Sequence, residues 1–457
     1  MRVGFAKNDI TPRIGVELCG FGPYIHRYSI GVRDRLWARA MVVQHQDEIF
    51  ALISCDLAGL NREIIQSIQN LLSMVGIEKS HVFVCCTHTH SGPATGRYIG
   101  WGEMDAPYIR TLPRLIADAV FKAREKIESV IMSHAVVPCE GIGLNREYDQ
   151  DAQPLERVLR PEWRPAKPEL TDTECHVMSF RQEDGFLSGF ISYFGCHPVT
   201  CCSQTRYIHG DYCGVATNLI EREEGDNVVG LFVQGALGDV NTCVVHKPEQ
   251  DSLLALDIIA GRYARSIRKG LKTAEPVSNE TVISAMKEMN FPRKPWDLEK
   301  IKALRAEAEA IIGTPGTRDD SRTKEANIPM ETVYATALNE LIKRLERGQP
   351  LCDPTVVSGM RIGPVAFLGS GFETFQAIRN EVVEKAQSEI PLVVSVANDT
   401  TGYAPDHACA DRGGYAADMV PLICGEIPYV GIHDELVKAL LEMDDSLTNT
   451  NSQLSNS

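Results

Sequence analysis

The chain has 457 residues, 44% hydrophobic and 23% charged, an ordinary globular composition that argues against a fibrous or disordered protein and suffices for a large core or two domains. A formal net charge of -15, with no clustering of Lys and Arg, argues against a nucleic-acid backbone as partner and is read as a solubility feature. No run of about 18 apolar residues occurs, so no transmembrane segment is expected.

The opening MRVGFAKNDITPRIG lacks the apolar core and small-residue cleavage site of a signal peptide, which makes a cytoplasmic location the expectation. From residue 1 to about 275, short apolar strands alternate with amphipathic helices. RLWARAMVVQ and IFALISCDLAG read as strands, REIIQSIQNLLSMVG and APYIRTLPRLIADAVFKAREKI as helices. HVMSF, LSGFISYFG and VVGLFVQG are further strands, and LLALDIIAGRYARSIRKGL is a helix. The fold class is therefore α/β, a mixed layer architecture.

Residues 276–355 change character: EKIKALRAEAEAIIG and METVYATALNELIKRLERG are helical patterns around the polar loop TPGTRDDSRTKEANIP. They read as a helical insertion interrupting one domain that spans residues 1–440, because strands resume in VVSGMRIGPVAFLG and PLVVSVAND. The polar tail, residues 444–457, is expected to be disordered. The fourteen cysteines, including the pairs Cys85-Cys86 and Cys201-Cys202, show no regular disulfide spacing and are expected to be mostly buried free thiols.

Several apolar runs end in polar groups. In HVFVCCTHTHSGP the strand breaks at Ser91, Gly92 and Pro93, and if extended geometry persists His88 and His90 share a face. An HxH pair alone is a weak signal, as one histidine is often merely hydrogen-bonded. FGCHPVTCC adds His197, and VAFLGSGFETF adds Glu373, a helix cap in the bland reading and a metal ligand in the other. After VVSVAND, the Gly-rich loop carries Asn398, Tyr403 and Tyr415, where tyrosines more often simply pack. A structural zinc site using Cys86, His88 and His90, with Cys201 and Cys202 near His197, is disfavoured because no CxxC occurs. Ligands of the His, His, Glu and Tyr types suit a borderline ion with an open, catalytic position.

VGFAKNDITP, CGFG, GVRDRLWARAMVV, CDLAG, THTHSGP, LNREY, FGCHPVT, FVQGALGDVN, GFETF, ANDTTGY and GGY, in this order, resemble the neutral/alkaline ceramidase family. These are non-lysosomal, zinc-dependent enzymes that cleave an amide bond to release a fatty acid from sphingosine. The resemblance covers roughly residues 1–275 and 356–430 and implies a mixed-sheet ceramidase-like catalytic domain. It implies Zn2+ held by His88, His197, Glu373 and Tyr403, with His90 handling protons and Arg146 and Tyr415 holding or polarising the scissile group.

The sequence departs from that family where its members carry a serine within a motif resembling NAGxxSP: GALGDVNT places Asn241 at the serine and Thr242 at the proline. A serine acyl-enzyme is excluded there, whereas metal-activated water is not. The helical segment is also less apolar than a cover for a long acyl chain would be. The expected substrate is a small molecule, N-acyl or lipid-like, smaller or more polar than ceramide. Esterase, lactonase or lyase chemistry on a sugar-like substrate is the alternative, and an inactive binding protein of the same fold is another. His209 and Asp211 read either as supports of the His197 ligand or as a helix start capped by Asp211, and Asp239 has the same ambiguity.

Overall fold

Strands buried on both faces read as near-continuous apolar runs, and the chain builds three sheets from them. The structure is a computed structural model that describes residues 1–149, 153–278, 280–313 and 328–449. The first sheet has the order Val82–Cys86, Glu48–Cys55, Trp37–His45, Arg2–Asp9, Glu128–Ser129. The second has the order Val229–Gln234, Leu187–Phe194, Glu174–Arg181, Ile131–Pro138, Glu275–Pro276. The third has the order Val282–Met289, Thr355–Ile362, Val365–Ser370, Ile390–Val394.

Each sheet is mixed: antiparallel apart from one parallel pair. The parallel pairs are Glu48–Cys55 with Val82–Cys86, Leu187–Phe194 with Val229–Gln234, and Val365–Ser370 with Ile390–Val394. Parallel strands need a crossover, and a helix supplies it in each case: Arg62–Ser73, Asp211–Glu224 and Gln376–Lys385. Three antiparallel pairs are direct hairpins, Trp37–His45 with Glu48–Cys55, Glu174–Arg181 with Leu187–Phe194, and Thr355–Ile362 with Val365–Ser370, so helices do not alternate strictly with strands as expected from the sequence.

The period-2 alternation of each strand divides its side chains between two cores. Phe50, Leu52, Phe83 and Cys85 from the first sheet, Ile191 and Tyr193 from the second, and Met360 and Phe367 from the third meet in one central cluster. The opposite faces lie under helices. Ala51, Ile53 and Val84 pack beneath Arg62–Ser73 and Ala106–Arg124, and Phe190 and Phe194 beneath Asp211–Glu224 and Glu249–Thr273. Leu368 and Val393 pack beneath Gln376–Lys385 and Ile432–Thr448. Burying each such Leu or Phe is worth about 1.5–3 kcal/mol, so the shared core is what holds the three sheets in register with one another.

Two expected boundaries are corrected. Residues 276–355 are not wholly helical: Val282–Met289 pairs along its full length with Thr355–Ile362 and belongs to the third sheet. The insertion proper is Leu298–Ile312 and Ile328–Glu346, joined through Ile301, Ala337, Leu338 and Leu341. Most of the polar loop between them, residues 314–327, lies outside the described residues. The tail begins later than expected, because Ile432–Thr448 is helical and buries Met443, Asp444 and Leu447; residues 450–457 lie outside the described residues. All fourteen cysteines are free thiols, buried except for the half-buried Cys352 and Cys424. Among the described residues no helix is long and apolar enough to cross a membrane.

Candidate metal centre

In sheets with parallel pairs, functional groups gather beyond the C-terminal ends of the strands. All three pairs contribute here. The strand Val82–Cys86 ends before the histidines, so the extended geometry expected through His90 does not persist. Instead the Thr87 and His88 amides donate to the carbonyls of Cys55 and Leu57 at 2.9 Å each, and His88 takes a left-handed φ of 67°. Such a conformation is costly for a non-glycine residue and is held by its surroundings. The kink brings the two imidazoles together, with His88 Nε2 and His90 Nε2 3.2 Å apart. Cys86 lies away from them in the apolar core of the first sheet.

His197 follows Leu187–Phe194 and is fixed by its amide donating to the Val240 carbonyl at 2.8 Å. Glu373 sits on the short strand Phe372–Thr374, which pairs in parallel with Gly402–Ala404 so that Glu373 is opposite Tyr403. It is not a helix cap: the following helix starts after Phe375 without a side-chain cap. Glu373 Oε2 lies 3.3 Å from His88 Nε2 and 3.2 Å from His197 Nε2, with all three side chains buried. The three imidazoles are inclined by 65° to 78° to one another.

The protonation state follows from the far side of each ring. His88 Nδ1 meets the Ala58 carbonyl at 2.5 Å, and His197 Nδ1 meets the Leu237 carbonyl at 2.7 Å. A carbonyl only accepts, so Nδ1 carries the hydrogen and Nε2 of the neutral ring presents a lone pair. Burial lowers the His197 pKa to about 4, which keeps that ring neutral. Burial pushes the Glu373 carboxyl up, but positive charge on the facing His88 and His197 rings outweighs it and draws the carboxyl well below the usual range. When both rings are neutral, three acceptor lone pairs face one another, and Glu373 Oε2 has no hydrogen-bond partner. That arrangement is repulsive without a cation between the atoms. The donor set, two imidazoles and a carboxylate, fits zinc.

Tyr403 extends the group: its ring lies 6.3 Å from that of His197 and 6.0 Å from that of Tyr415. The Arg146 guanidinium stands 5.0 Å from the Tyr403 ring centre. Burial opposes the charge on Arg146 most strongly, but Tyr403, Tyr415 and Glu373 together outweigh it, so the side chain remains a cation. Tyr403 is in a strand and Tyr415 opens a π-helical turn, so the expected Gly-rich loop is ordered into two elements. Burial holds the Tyr403 phenol protonated, well above its ordinary range.

Other residues singled out from the sequence act as braces. Asn398 accepts from the Val84 amide at 2.9 Å and donates to the Val82 carbonyl at 3.2 Å, tying the third sheet to the strand that leads to His88. Asp239 accepts from Asn145 Nδ2 at 2.7 Å and from the Gln376 amide at 2.8 Å, linking the segments that carry Arg146 and Glu373. His209 and Asp211 do not support the imidazole of His197, whose Nδ1 is taken by Leu237. Nor does Asp211 cap its helix: it is the first helical residue, after Gly210, and its carboxylate accepts from the Thr200, Cys201 and Tyr212 amides. Cys201, His209 and Asp211 lie close together, but His209 Nδ1 is already engaged by the Asp211 amide at 3.1 Å. Asn241 bridges to His197 through the backbone, and its Oδ1 is buried without a hydrogen-bond partner.

Three neighbours of the site were not singled out from the sequence. Arg27 donates to the Cys19 and His90 carbonyls at 2.9 and 3.1 Å and to the Thr205 carbonyl at 3.0 Å, clamping the CGFG turn to the histidine loop. Gly20, at φ 95°, packs so closely that a Cβ there would lie 2.3 Å from His90 Nδ1. Tyr98 packs against Cys19 and Ala58 on one side and the cluster containing Phe375 and Tyr403 on the other. None lies on a periodic pattern; the only cue is the turn-forming glycines of CGFG.

A family model described as "Neutral/alkaline non-lysosomal ceramidase, N-terminal" matches residues 1–257. The neutral ceramidase of Pseudomonas aeruginosa is 23% identical over 258 residues, which cover 54% of this chain and 38% of that protein. Neutral ceramidase A of Dictyostelium discoideum is 24% identical over 269 residues, covering 54% of this chain and 37% of its own. The matched stretch thus spans well under half the length of these relatives. The crystal structure of the Pseudomonas aeruginosa neutral ceramidase superposes with a TM-score of 0.72 at 18% identity, covering 98% of this chain and 75% of that one. A structure described as ceramidase complexed with C2 gives 0.74 at 17% identity, with the same coverage. At these identities the likeness shows the fold.

Proposed function

The chain belongs to the neutral/alkaline non-lysosomal ceramidase family, and from that premise we propose that it is a zinc-dependent hydrolase of a linear amide in a substrate smaller or more polar than ceramide. The observation that carries this reading is the convergence of His88 Nε2, His197 Nε2 and Glu373 Oε2, 3.2 and 3.3 Å apart, with both Nδ1 atoms already engaged elsewhere. Tyr403 is the fourth ligand. Zinc held there supplies water acidified towards about pH 7 and a Lewis acid for the carbonyl.

The chain's own groups do the rest. Burial, reinforced by His88 and His197, drives the His90 pKa well down, so its ring is neutral at pH 7 and accepts a proton from the attacking water. It then returns that proton to the leaving nitrogen, which is a poor leaving group unless protonated. Arg146 and Tyr415 donate to the carbonyl oxygen as it gains charge. Asn241 provides no nucleophile, consistent with direct attack by water.

The test is elemental analysis of wild type and His88→Ala, paired with hydrolysis of short-chain and long-chain N-acyl substrates and of matching esters and lactones. About one zinc per chain, lost in the variant, with preferred turnover of short-chain amides, is the expected result. Preferred turnover of esters or lactones would replace the amide assignment, and metal retained in the variant would overturn the ligand set.

A further inference from the structure

The hydroxyl of Tyr98 is buried and has no hydrogen-bond partner among the described residues. Buried polar groups are almost always paired, and one left open beside a reactive centre calls for a ligand. Tyr98 packs against two clusters that build the centre: that of Cys19, Ala58 and Ala94, in which the Ala58 carbonyl orients His88 and Cys19 precedes the glycine that seats His90, and that of Phe375 and Tyr403.

The loop that carries Tyr98 is held from behind by the helical insertion. The Ile99 amide donates to the Ile423 carbonyl at 2.8 Å, and Ile99 packs into the cluster formed by Ile301, Leu338 and Leu341. Gly100, at φ 85°, abuts Val333 of the second insertion helix and Tyr24, at 3.2 Å from where a Cβ would be. The same helix contributes Val333 to the cluster around Tyr403. The insertion thus positions one wall of the centre.

We propose that the Tyr98 hydroxyl donates a hydrogen bond to an oxygen of the bound acyl group, making it a substrate-contacting residue whose placement is set by the helical insertion. This rests on the metal-hydrolase reading above. Replacing tyrosine by phenylalanine keeps the ring that packs and removes only the donor.

Acetohydroxamate, a small zinc-binding acyl mimic, serves as the probe, titrated calorimetrically into zinc-loaded wild type and Tyr98→Phe. The variant is expected to retain its zinc and melting temperature, to bind the probe about tenfold more weakly, and to lose about tenfold or more in kcat/KM on a short N-acyl substrate. Unchanged affinity and unchanged kcat/KM would overturn the proposal. If wild type hydrolyses no amide, the substrate assignment falls while the titration still judges Tyr98; if zinc-loaded wild type does not bind the probe, both fall.

Discussion

Among the described residues three groups have ligand-type atoms within 4.8 Å of one another, and the two that hold more than one histidine, His88, His90 and His197 and His407, His433 and Asp434, differ in a way that distance alone does not reveal. At the centre, the His88 and His197 rings are inclined by 74° and their Nδ1 atoms are fixed by carbonyls. Away from the centre, the exposed His407 and the buried His433 stack at 4.1 Å with only 18° between their planes, beside Asp434 and Glu381. A nitrogen lone pair lies in its ring plane, and zinc must sit about 2.0–2.1 Å from each nitrogen. Nearly parallel planes 4 Å apart cannot share such a point, whereas inclined rings can. The difference teaches that orientation, set by the bond on the far side of each imidazole, separates an arrangement able to share an ion from a crowd of polar groups.

The sharpest way to break this contrast is a pair of variants. Glu373→Ala is expected to abolish zinc binding and reduce hydrolysis by about 10³-fold or more, since two imidazoles and a neutral phenol leave the ion weakly held. His433→Ala should leave zinc content unchanged by elemental analysis. Next in size, His90→Ala should keep the metal but lower kcat by about 10²–10⁴, the range for loss of a general acid or base. Loss of zinc in that variant would make His90 a ligand.

A third variant probes packing. Gly20→Ala places a Cβ against the His90 ring, and displacing that ring by about an ångström should cost up to about 100-fold in kcat with zinc retained. Activity within twofold of wild type would show that the ring has room to move.

A stability effect comes from Asp239. Burial raises its carboxyl pKa to about 6, above the value of about 4 for an unfolded chain. The native state therefore binds this proton more tightly, so the favourable contribution is complete below pH 4 and is lost as pH rises through 6. Urea titrations should show the stability of wild type falling by about 2 kcal/mol relative to Asp239→Asn between pH 4 and 6. A constant difference across that range would refute it. The smallest effect lies away from the centre, where His433→Ala removes a 2.8 Å contact between the buried imidazole and Glu381 and should cost about 1 kcal/mol by the same titration.

Much of this was legible in the chain because strand cores and motif residues are local signals. The runs before His88, His197 and Glu373 are the strands that end near them, and the helical patterns of the insertion coincide with Leu298–Ile312 and Ile328–Glu346. What was missed is non-local. Val282–Met289 has a half-exposed pattern that looks unremarkable until Thr355–Ile362 pairs with it. The left-handed kink at His88 depends on carbonyls of the neighbouring strand's exit, and Arg27 and Tyr98 matter only through contacts with distant segments.

The sequence by itself determined the α/β class, the alternating strands that bury both faces, and the residue types available for a metal. Only the tertiary structure decided that His88, His197 and Glu373 turn their lone pairs towards one point, because ring orientation is fixed by carbonyls of Ala58 and Leu237, residues 30 and 40 positions away. Local propensity acts through neighbours in the chain; the direction of a lone pair is set by neighbours in space.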